Sequence, residues 1–326
     1  MTLIINPVLI RDICLLLLYT FTSFLALIGN GVVFRISFLR KRSSHLPSST
    51  TSILLLNLAF ADGLSGLAIP LQFIFCSTHF LYKVPFSSHL CVLSKSTQIL
   101  AYNASTLTMC IIAYDRYRLI QNPLRQYSRR NTRQPILFTW FISALFASSC
   151  LISMKVHTYF LSKQKLISCQ ILFPVKIQDI SSGLIRKIRV FCLVVLFYII
   201  PLVTISILCC LTMRTIARRT VIGVQQFPAF KQTRTRSIRL LIIMVLVFAL
   251  SHLPVHFLHI RDFFVPSLSK YHTQKNRCNA STIYLVCYWL GISSCCHNPI
   301  IYSWFNRRFR TVALNCFRSI AFCGRQ

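Results

Sequence analysis

The sequence predicts an all-α membrane protein, built as one bundle of seven transmembrane helices. Three observations support this fold class: 55% of the 326 residues are apolar, only 13% are charged, and the mean hydropathy is +0.61. A soluble domain needs less apolar material than this to fill its core. No linker, low-complexity tract or internal repeat divides the chain, so we expect no second domain.

Seven apolar runs are long enough to cross about 30 Å of hydrocarbon, which takes roughly 20 helical residues. They are Ile13 to Phe38, Thr51 to Phe75, Leu90 to Tyr114, Ile136 to Met154, Ile188 to Met213, Ile238 to Ile260 and Thr282 to Trp304. The first run lacks the small-residue cleavage pattern of a signal peptide, so we expect it to be retained as a span.

The distribution of Lys and Arg predicts the orientation. Twenty-two of the 36 basic residues follow spans one, three and five or lie in the tail, and this excess marks the cytoplasmic side. We therefore assign residues 1–12 to an extracellular amino terminus, 13–304 to the seven-span domain and 305–326 to a cytoplasmic segment. The outer side holds 14 basic residues and three Asp, so it stays near +11.

The polar composition limits the chemistry that the chain can perform. It contains five Asp and no Glu, and no nucleophile, base and orienting residue combine in its motifs, so we expect no enzyme. The 15 Cys form no CxxC pair and lie mostly within apolar runs, which indicates core residues and argues against a zinc-type site. We also expect no nucleic-acid partner.

Short motifs occur in order on the predicted spans, and together they are far more specific than any one alone. They are Asn30, Leu58 to Asp62, Cys91, Asp115-Arg116-Tyr117, Trp140, Pro201, Phe248, Pro254 and Asn298 to Tyr302. With them the chain resembles the rhodopsin-class (class A) G-protein-coupled receptors. The resemblance extends to Phe305 to Arg310, which resembles the short amphipathic eighth helix of that family.

Asp62 is the acid that lies in mid-membrane, where a carboxylate is costly unless it faces the bundle interior and finds a cation or donor. The resemblance implies an allosteric sodium ion held with Ser105, Ser294 and Asn298, and no other cofactor. The alternative is a structural Asp62 that is hydrogen-bonded to Asn30 and Asn298.

The cytoplasmic end of span three carries Asp115 and Arg116, which fit a charge pair whose Arg can leave its Asp for a G protein. An Arg that snorkels to the headgroups is the alternative. The resemblance implies a heterotrimeric G protein as partner, with Tyr117, Leu124 and Tyr302 in the coupling switch. Arrestin and membrane lipids are further expected partners.

Prolines mark the expected hinges, because each removes an intrahelical hydrogen bond. They are Pro201, Pro254 and Pro299, for which a purely structural role is the alternative.

Phe248 and His252 form the expected toggle, although the family usually has Trp at the position of His252. Further departures are Cys209, where the family usually has Tyr, and Arg234, where many members have an acid. Facing Arg116, Arg234 predicts raised basal signalling; loss of signalling is the alternative.

The resemblance also implies a disulfide between Cys91 and Cys169, which would pin the second outer loop over the pocket in an oxidising compartment. Two free thiols are the alternative. Cys316 and Cys323 follow the eighth-helix segment and suit reversible palmitoylation, with free cytosolic thiols as the alternative.

The cytoplasmic side is similar to histamine and muscarinic receptors, but the predicted ligand pocket is not. Amine receptors place an Asp eighteen residues before Arg116, where this chain has Gln98, and span seven lacks the Lys of an opsin. The predicted pocket residues are Lys95, Gln98, Tyr102, His256, His259 and Arg261. They favour a peptide or another ligand with an acidic group, unless Lys95 snorkels outward and the histidines only pack in the core.

Other functions stay open at this point. An amine-like receptor with an altered pocket and a non-signalling receptor are the nearer alternatives. A transporter or channel is a remote one, because no inverted repeat or matching pair of broken helices is visible in the sequence.

Overall fold

The computed structural model describes residues 7–43, 50–74, 87–121, 129–161, 164–171, 182–221, 228–264, 282–305, 310–311 and 314–315. Within these ranges every predicted span lies on one of seven long helices. They are α1 (Pro7–Ser43), α2 (Thr50–Ile74), α3 (Ser87–Gln121), α4 (Arg129–Ser153), α5 (Ser182–Val194, Val195–Ile199 and Ile200–Val221), α6 (Pro228–Phe264) and α7 (Thr282–Ile292 and Ser294–Phe305). The middle segment of α5 is π-helical, and α7 is divided by a turn at Ser293.

A two-stranded hairpin between α4 and α5 adds to the all-α architecture expected from the sequence. Strands β1 (Met154–Leu161) and β2 (Gln164–Ile171) are antiparallel, with Met154 opposite Ile171 and Leu161 opposite Gln164. The fourth span was expected to reach Met154, but the helix ends at Ser153. Strand β2 packs against α3.

Helix α3 is the centre of the bundle and packs against α2, α4 and α5. Helix α1 packs against α2 and α7, and α6 packs against α5 and α7, so that the ring of helices closes. The outer faces are strongly apolar: Leu137, Phe138, Phe141 and Leu145 of α4 are each more than 60% exposed. Such a surface is unfavourable in water and suits contact with lipid tails.

In the part of the chain that the structure describes, four helices contain stretches that are long and apolar enough to cross a membrane. They are Leu9–Ser37, Ser52–Leu71, Lys187–Arg218 and Ile238–Arg261. Helix α3 is less apolar because it buries polar side chains in the bundle, including Ser94, Gln98, Asn103 and Thr108. Polar residues in a spanning helix almost always face the bundle interior in this way.

Prolines inside the helices are accommodated by neighbouring helices. Since proline has no N–H, it leaves the carbonyl four residues before it without its helical donor. For Pro201 that carbonyl belongs to Phe197, and the Tyr102 hydroxyl of α3 donates to it at 3.1 Å. The π-helical turn Val195–Ile199 ends two residues before this proline, so α5 is irregular here, and the hinge role of Pro201 stays a prediction.

Helix α1 contacts α7 at Pro299 in the same manner. The carbonyl left without a donor is that of Cys295, and the Asn30 amide nitrogen donates to it at 3.0 Å. A Cβ on Gly29 would lie only 2.7 Å from Cβ of Pro299, so glycine is what allows this close approach. The neighbouring residues Gly29 and Asn30 thus dock α1 against the irregular part of α7.

A third example lies between α1 and α2. Pro70 lies inside α2, and the carbonyl of Gly66, four residues before it, accepts a 2.7 Å hydrogen bond from the Ser23 hydroxyl of α1. Neither Pro70 nor Ser23 belongs to the motifs found in the sequence. In a membrane these side-chain donors replace the water that would otherwise satisfy such carbonyls.

Candidate ligand and signalling sites

Tyr, Phe and His rings from α3, α5 and α6 form a ring stack. It lies toward the N-terminal end of α3, the upper part of the bundle. The ring centroids of Tyr102 and His252 are 4.8 Å apart, those of Phe248 and His252 4.3 Å, and those of Tyr198 and His256 4.3 Å. His252 and His256 are buried, and the Tyr102 hydroxyl lies 3.3 Å from Nε2 of His256. The expected toggle residues Phe248 and His252 therefore contact the expected pocket residue Tyr102 directly.

Lys95 is directed toward α7. Its Nζ lies 4.9 Å from the centroid of the Tyr288 ring, a cation–π geometry. Gln98, one turn further along α3, is buried, and its amide nitrogen donates to the Ser65 hydroxyl of α2 at 2.8 Å. Among the described residues its Oε1 has no hydrogen-bond partner, so an acceptor remains available at this level of the bundle.

The remaining predicted pocket residues lie on α6 and differ in exposure. The His259 ring meets the edge of the His256 ring at a centroid distance of 5.9 Å, which joins Tyr102, His256 and His259 into one chain of contacts. Arg261 is exposed at the surface of α6. The structure thus brings part of the predicted set together and leaves Arg261 at the periphery.

Asp62 is the buried acid at the middle of the bundle. Its Oδ1 accepts a hydrogen bond from the Ser105 hydroxyl and its Oδ2 accepts one from the Asn298 amide, each at 2.8 Å. Within the described ranges the structure gives Ser294 no hydrogen bond to Asp62. The Asn30 amide donates instead to carbonyls of Ala26 and Cys295, so Asn30 is not the second donor that the alternative proposed.

The C-terminal end of α3 contacts two neighbouring helices. The Asp115 carboxylate accepts a 3.0 Å hydrogen bond from the Thr50 hydroxyl at the start of α2. Arg116 lies within electrostatic range of Asp115 and of Tyr302 on α7. Tyr302 also packs against the buried core between the helices, whereas Tyr117 is half-buried. The predicted switch residues Asp115, Arg116 and Tyr302 therefore lie close together, and their role in coupling stays a prediction.

Cys209, a further departure from the family pattern, and Pro254, an expected hinge, occupy different surroundings. Cys209 is buried in the core with Leu241 and Met244, where its small apolar side chain fills space. Pro254 lies inside α6, and the Tyr198 hydroxyl donates to the nearby carbonyl of Ala249 at 2.9 Å.

Several predicted features lie outside the described residues. These include Leu124, Cys316 and Cys323. The backbones of Cys91, Cys169 and Arg234 lie in α3, β2 and α6, but their side chains are outside the description. Beyond Phe305 only 310–311 and 314–315 are described, in helical conformation. The disulfide, the lipidation, the Arg234 contact and the eighth helix therefore stay predictions.

A polar link between α2, α3 and α4 was only partly visible in the sequence. The Trp140 indole N–H donates to the side-chain oxygen Oδ1 of Asn57 at 2.8 Å. The side-chain nitrogen Nδ2 of Asn57 donates to the Thr108 hydroxyl, also at 2.8 Å. Trp140 was recognised as a family residue, but Asn57 was not. A signal was present, since an Asn within an apolar span indicates an interhelical partner.

A family model described as 7 transmembrane receptor (rhodopsin family) matches residues 29–302. The chain belongs to this family. The receptor is 30% identical to Tachykinin-like peptides receptor 86C of Drosophila melanogaster over 90% of its own length and 56% of the fly protein. It is 27% identical to the human Substance-K receptor over 91% of its own length and 72% of that protein. With the human Substance-P receptor the identity is 26%, and the shares are 93% and 70%.

These matches confirm four predictions from the sequence: the rhodopsin-class resemblance, the seven-helix membrane fold, the multi-pass membrane location and the absence of an enzyme, because the family consists of receptors. The receptor spans little more than half the length of its fly relative.

Proposed function

We propose that this receptor responds to an extracellular peptide and signals through heterotrimeric G proteins. The observation that carries the proposal is its similarity, over 90% of its length, to a receptor named for tachykinin-like peptides. A ligand of this kind takes hydrogen bonds and apolar contacts from the upper bundle, where Gln98, Tyr102 and His256 lie.

The charges in the upper bundle argue against a simple amine ligand. Gln98 occupies the position where amine receptors have an Asp. Of the acids whose side chains are described, Asp12 is buried and pairs with Arg11 at 2.7 Å, Asp62 lies in mid-bundle, and Asp115 lies at the cytoplasmic end. A buried ammonium without a counter-ion is strongly unfavourable, whereas an acidic group has Lys95 nearby.

G-protein coupling is the proposed output, with the amino terminus outside the cell. The excess of Lys and Arg on one side supports this orientation. On that side, Arg116 lies in electrostatic range of Asp115 and Tyr302, and Asp115 is also bonded to Thr50. We infer that activation exchanges these contacts for contacts with the G protein.

We further propose that Asp62 binds a sodium ion that modulates agonist affinity. The donor chemistry fits, because a buried carboxylate lies beside the Ser105 hydroxyl and the Asn298 amide. Ser294 lies on the same segment of α7 as Asn298 and would supply a further oxygen. Hard cations prefer such oxygen ligands.

The experiment that tests the main proposal is a ligand panel on cells that express the receptor, with G-protein activation as readout. The panel contains tachykinin-type peptides, acidic metabolites and histamine. We expect a peptide to activate the receptor and the matched variant Arg116→Ala to lose the response at equal surface expression. Activation by histamine at low concentration, with silence toward every peptide, would contradict the peptide proposal. If basal and ligand-stimulated G-protein activation by the wild-type receptor equal those of Arg116→Ala, the result would instead support the non-signalling alternative.

A further inference from the structure

A cavity of about 790 Å³ opens between α3, α4 and α5 in the half of the bundle that contains Asp115, and no ring of the ring stack lines it. Its apolar wall includes Leu54 of α2, Cys110 and Ile111 of α3, and Leu208 of α5. The volume lies within the range of sites that hold small ligands, roughly 300–1,000 Å³. None of the ligand, sodium or toggle residues lines it.

The cavity faces the membrane. Tyr114 at its edge is 44% exposed, and the neighbouring outer faces carry exposed apolar residues such as Leu137 of α4 and Ile207 of α5. Those faces are covered by lipid in a seven-helix membrane protein. A molecule that enters this opening therefore comes from the bilayer.

The lining of the cavity includes a buried hydroxyl group. Thr132 of α4 lines the cavity, and only 3% of its surface is exposed. Among the residues that the structure describes, its Oγ1 has no hydrogen-bond partner. A buried polar group without a hydrogen bond is unfavourable, so this hydroxyl calls for an oxygen acceptor supplied by the occupant.

The cytoplasmic mouth of the cavity is basic. The Arg118 guanidinium is held against Tyr114, with a 3.1 Å hydrogen bond to the phenol oxygen and its central carbon 5.7 Å from the ring centroid. Arg133 is exposed beside Thr132 on α4. Asp115 also lines the cavity, but its carboxylate accepts a 3.0 Å hydrogen bond from the Thr50 hydroxyl. Together, Arg118, Arg133 and Asp115 carry a net charge of +1.

We propose that this cavity, the α3–α5 groove, binds an anionic phospholipid of the cytoplasmic leaflet. An acyl chain packs against Cys110, Ile111 and Leu208, the phosphate lies at Arg118, and the Thr132 hydroxyl donates to an ester or phosphate oxygen. Basic pockets between helices on the cytoplasmic side recognise such headgroups. Only the choice of leaflet rests on the proposed orientation.

The first test measures lipid retention by purified receptor in detergent, by native mass spectrometry with phosphatidylserine or phosphatidylcholine titrated in. We expect preferential retention of phosphatidylserine. Arg118→Gln is expected to weaken its binding about fivefold, equivalent to about 1 kcal/mol, whereas Arg214→Gln, an exposed basic residue of α5 outside the groove, leaves it unchanged. Equal retention of both lipids, or equal effects of the two variants, would overturn the proposal.

A second pair of variants tests the location without changing charge. Leu208→Trp fills the groove and is expected to abolish the preference, while Val203→Trp on the exposed face of α5 keeps it. Should Leu208→Trp fail to fold, Thr132→Val removes the unpaired hydroxyl at nearly constant shape and is expected to lower phosphatidylserine affinity several-fold. Unchanged affinity in Thr132→Val would remove the headgroup assignment. Displacement of phosphatidylserine by cholesterol at equal concentration would show a sterol site instead and overturn the anionic-lipid proposal.

Discussion

Single side chains in this receptor act through what they contact inside the bundle. Lys95 has a long flexible stem that could reach the headgroups, yet its ammonium lies over the Tyr288 ring. Gln98 satisfies its amide nitrogen through Ser65 and keeps an acceptor oxygen. Both residues stay predicted ligand contacts, Lys95 on the α7 side and Gln98 on the α2 side of α3.

Lys95→Ala is expected to raise the effective concentration of the activating ligand at least tenfold, about 1.4 kcal/mol, because an acidic group of the ligand loses its charge partner. Arg261→Ala is the comparison, and its effect is expected to be smaller because that side chain is exposed. Dose–response curves at matched surface expression measure both. Equal potency of wild type and Lys95→Ala would show that Lys95 only packs on Tyr288.

Asp62→Asn is expected to abolish any sodium dependence of agonist binding, since an amide lacks the full charge that attracts a cation in a medium of low dielectric constant. Asp12→Asn is the matched control, because it also alters a buried acid but one that is paired with Arg11. Agonist binding measured against sodium concentration distinguishes the two. Identical sodium curves for wild type and Asp62→Asn would leave Asp62 as a hydrogen-bond acceptor for Ser105 and Asn298.

At the level of elements, the recurring device is a side chain of one helix that satisfies a carbonyl freed by a proline of another. Tyr102 does this for α5, Asn30 for α7 and Ser23 for α2. Each such bond fixes the position of an irregular helix relative to its neighbour. Because Tyr102 also touches His252 and His256, the irregular part of α5 is coupled directly to the ring stack.

Ser23→Ala is expected to lower the free energy of unfolding by about 1 kcal/mol, because the Gly66 carbonyl loses its donor in a buried site. In a Pro70→Ala background the restored N–H satisfies that carbonyl, so the same substitution is expected to cost much less. Thermal unfolding of the four forms of this double-mutant cycle measures the difference. Ser148→Ala, whose hydroxyl bonds within its own helix, serves as control. Additive effects of Ser23→Ala and Pro70→Ala would contradict the capping role.

At the level of the whole molecule, the hairpin and α3 are expected to be joined covalently. Strand β2 contains Cys169 and packs against α3, which contains Cys91 near its start. A bridge between them would restrain the outer connection over the mouth of the bundle, with a stabilisation of typically 2–4 kcal/mol.

Cys91→Ala is therefore expected to abolish the ligand response and most surface expression. Cys287→Ala, which removes a free, half-buried thiol of α7, is expected to preserve both. Flow cytometry and G-protein activation measure the two variants. Mass spectrometry that finds Cys91 and Cys169 both as free thiols in surface receptor would refute the bridge.

Patterns that are local in the sequence carried much of the fold. The apolar runs predicted all seven helices, because a span needs about 20 apolar residues whatever surrounds it. The motifs around Asp62, Asp115 and Pro299 predicted a central site and a coupling switch, since those residue types are costly in a membrane unless they have a role, and both roles stay predictions. The hairpin was missed, because pairing between two strands depends on contacts that hydropathy does not report.

The sequence by itself determined the membrane class, the helices and the type of residue at each level of the bundle. Only the tertiary structure decided which partners those residues have: Asn30 with Cys295 instead of Asp62, Lys95 with Tyr288, and a Thr132 hydroxyl that has no partner among the described residues beside a basic groove. The physical reason is that composition and period depend on neighbours along one helix, whereas hydrogen bonds and cavities depend on how helices far apart in the chain approach and rotate against each other.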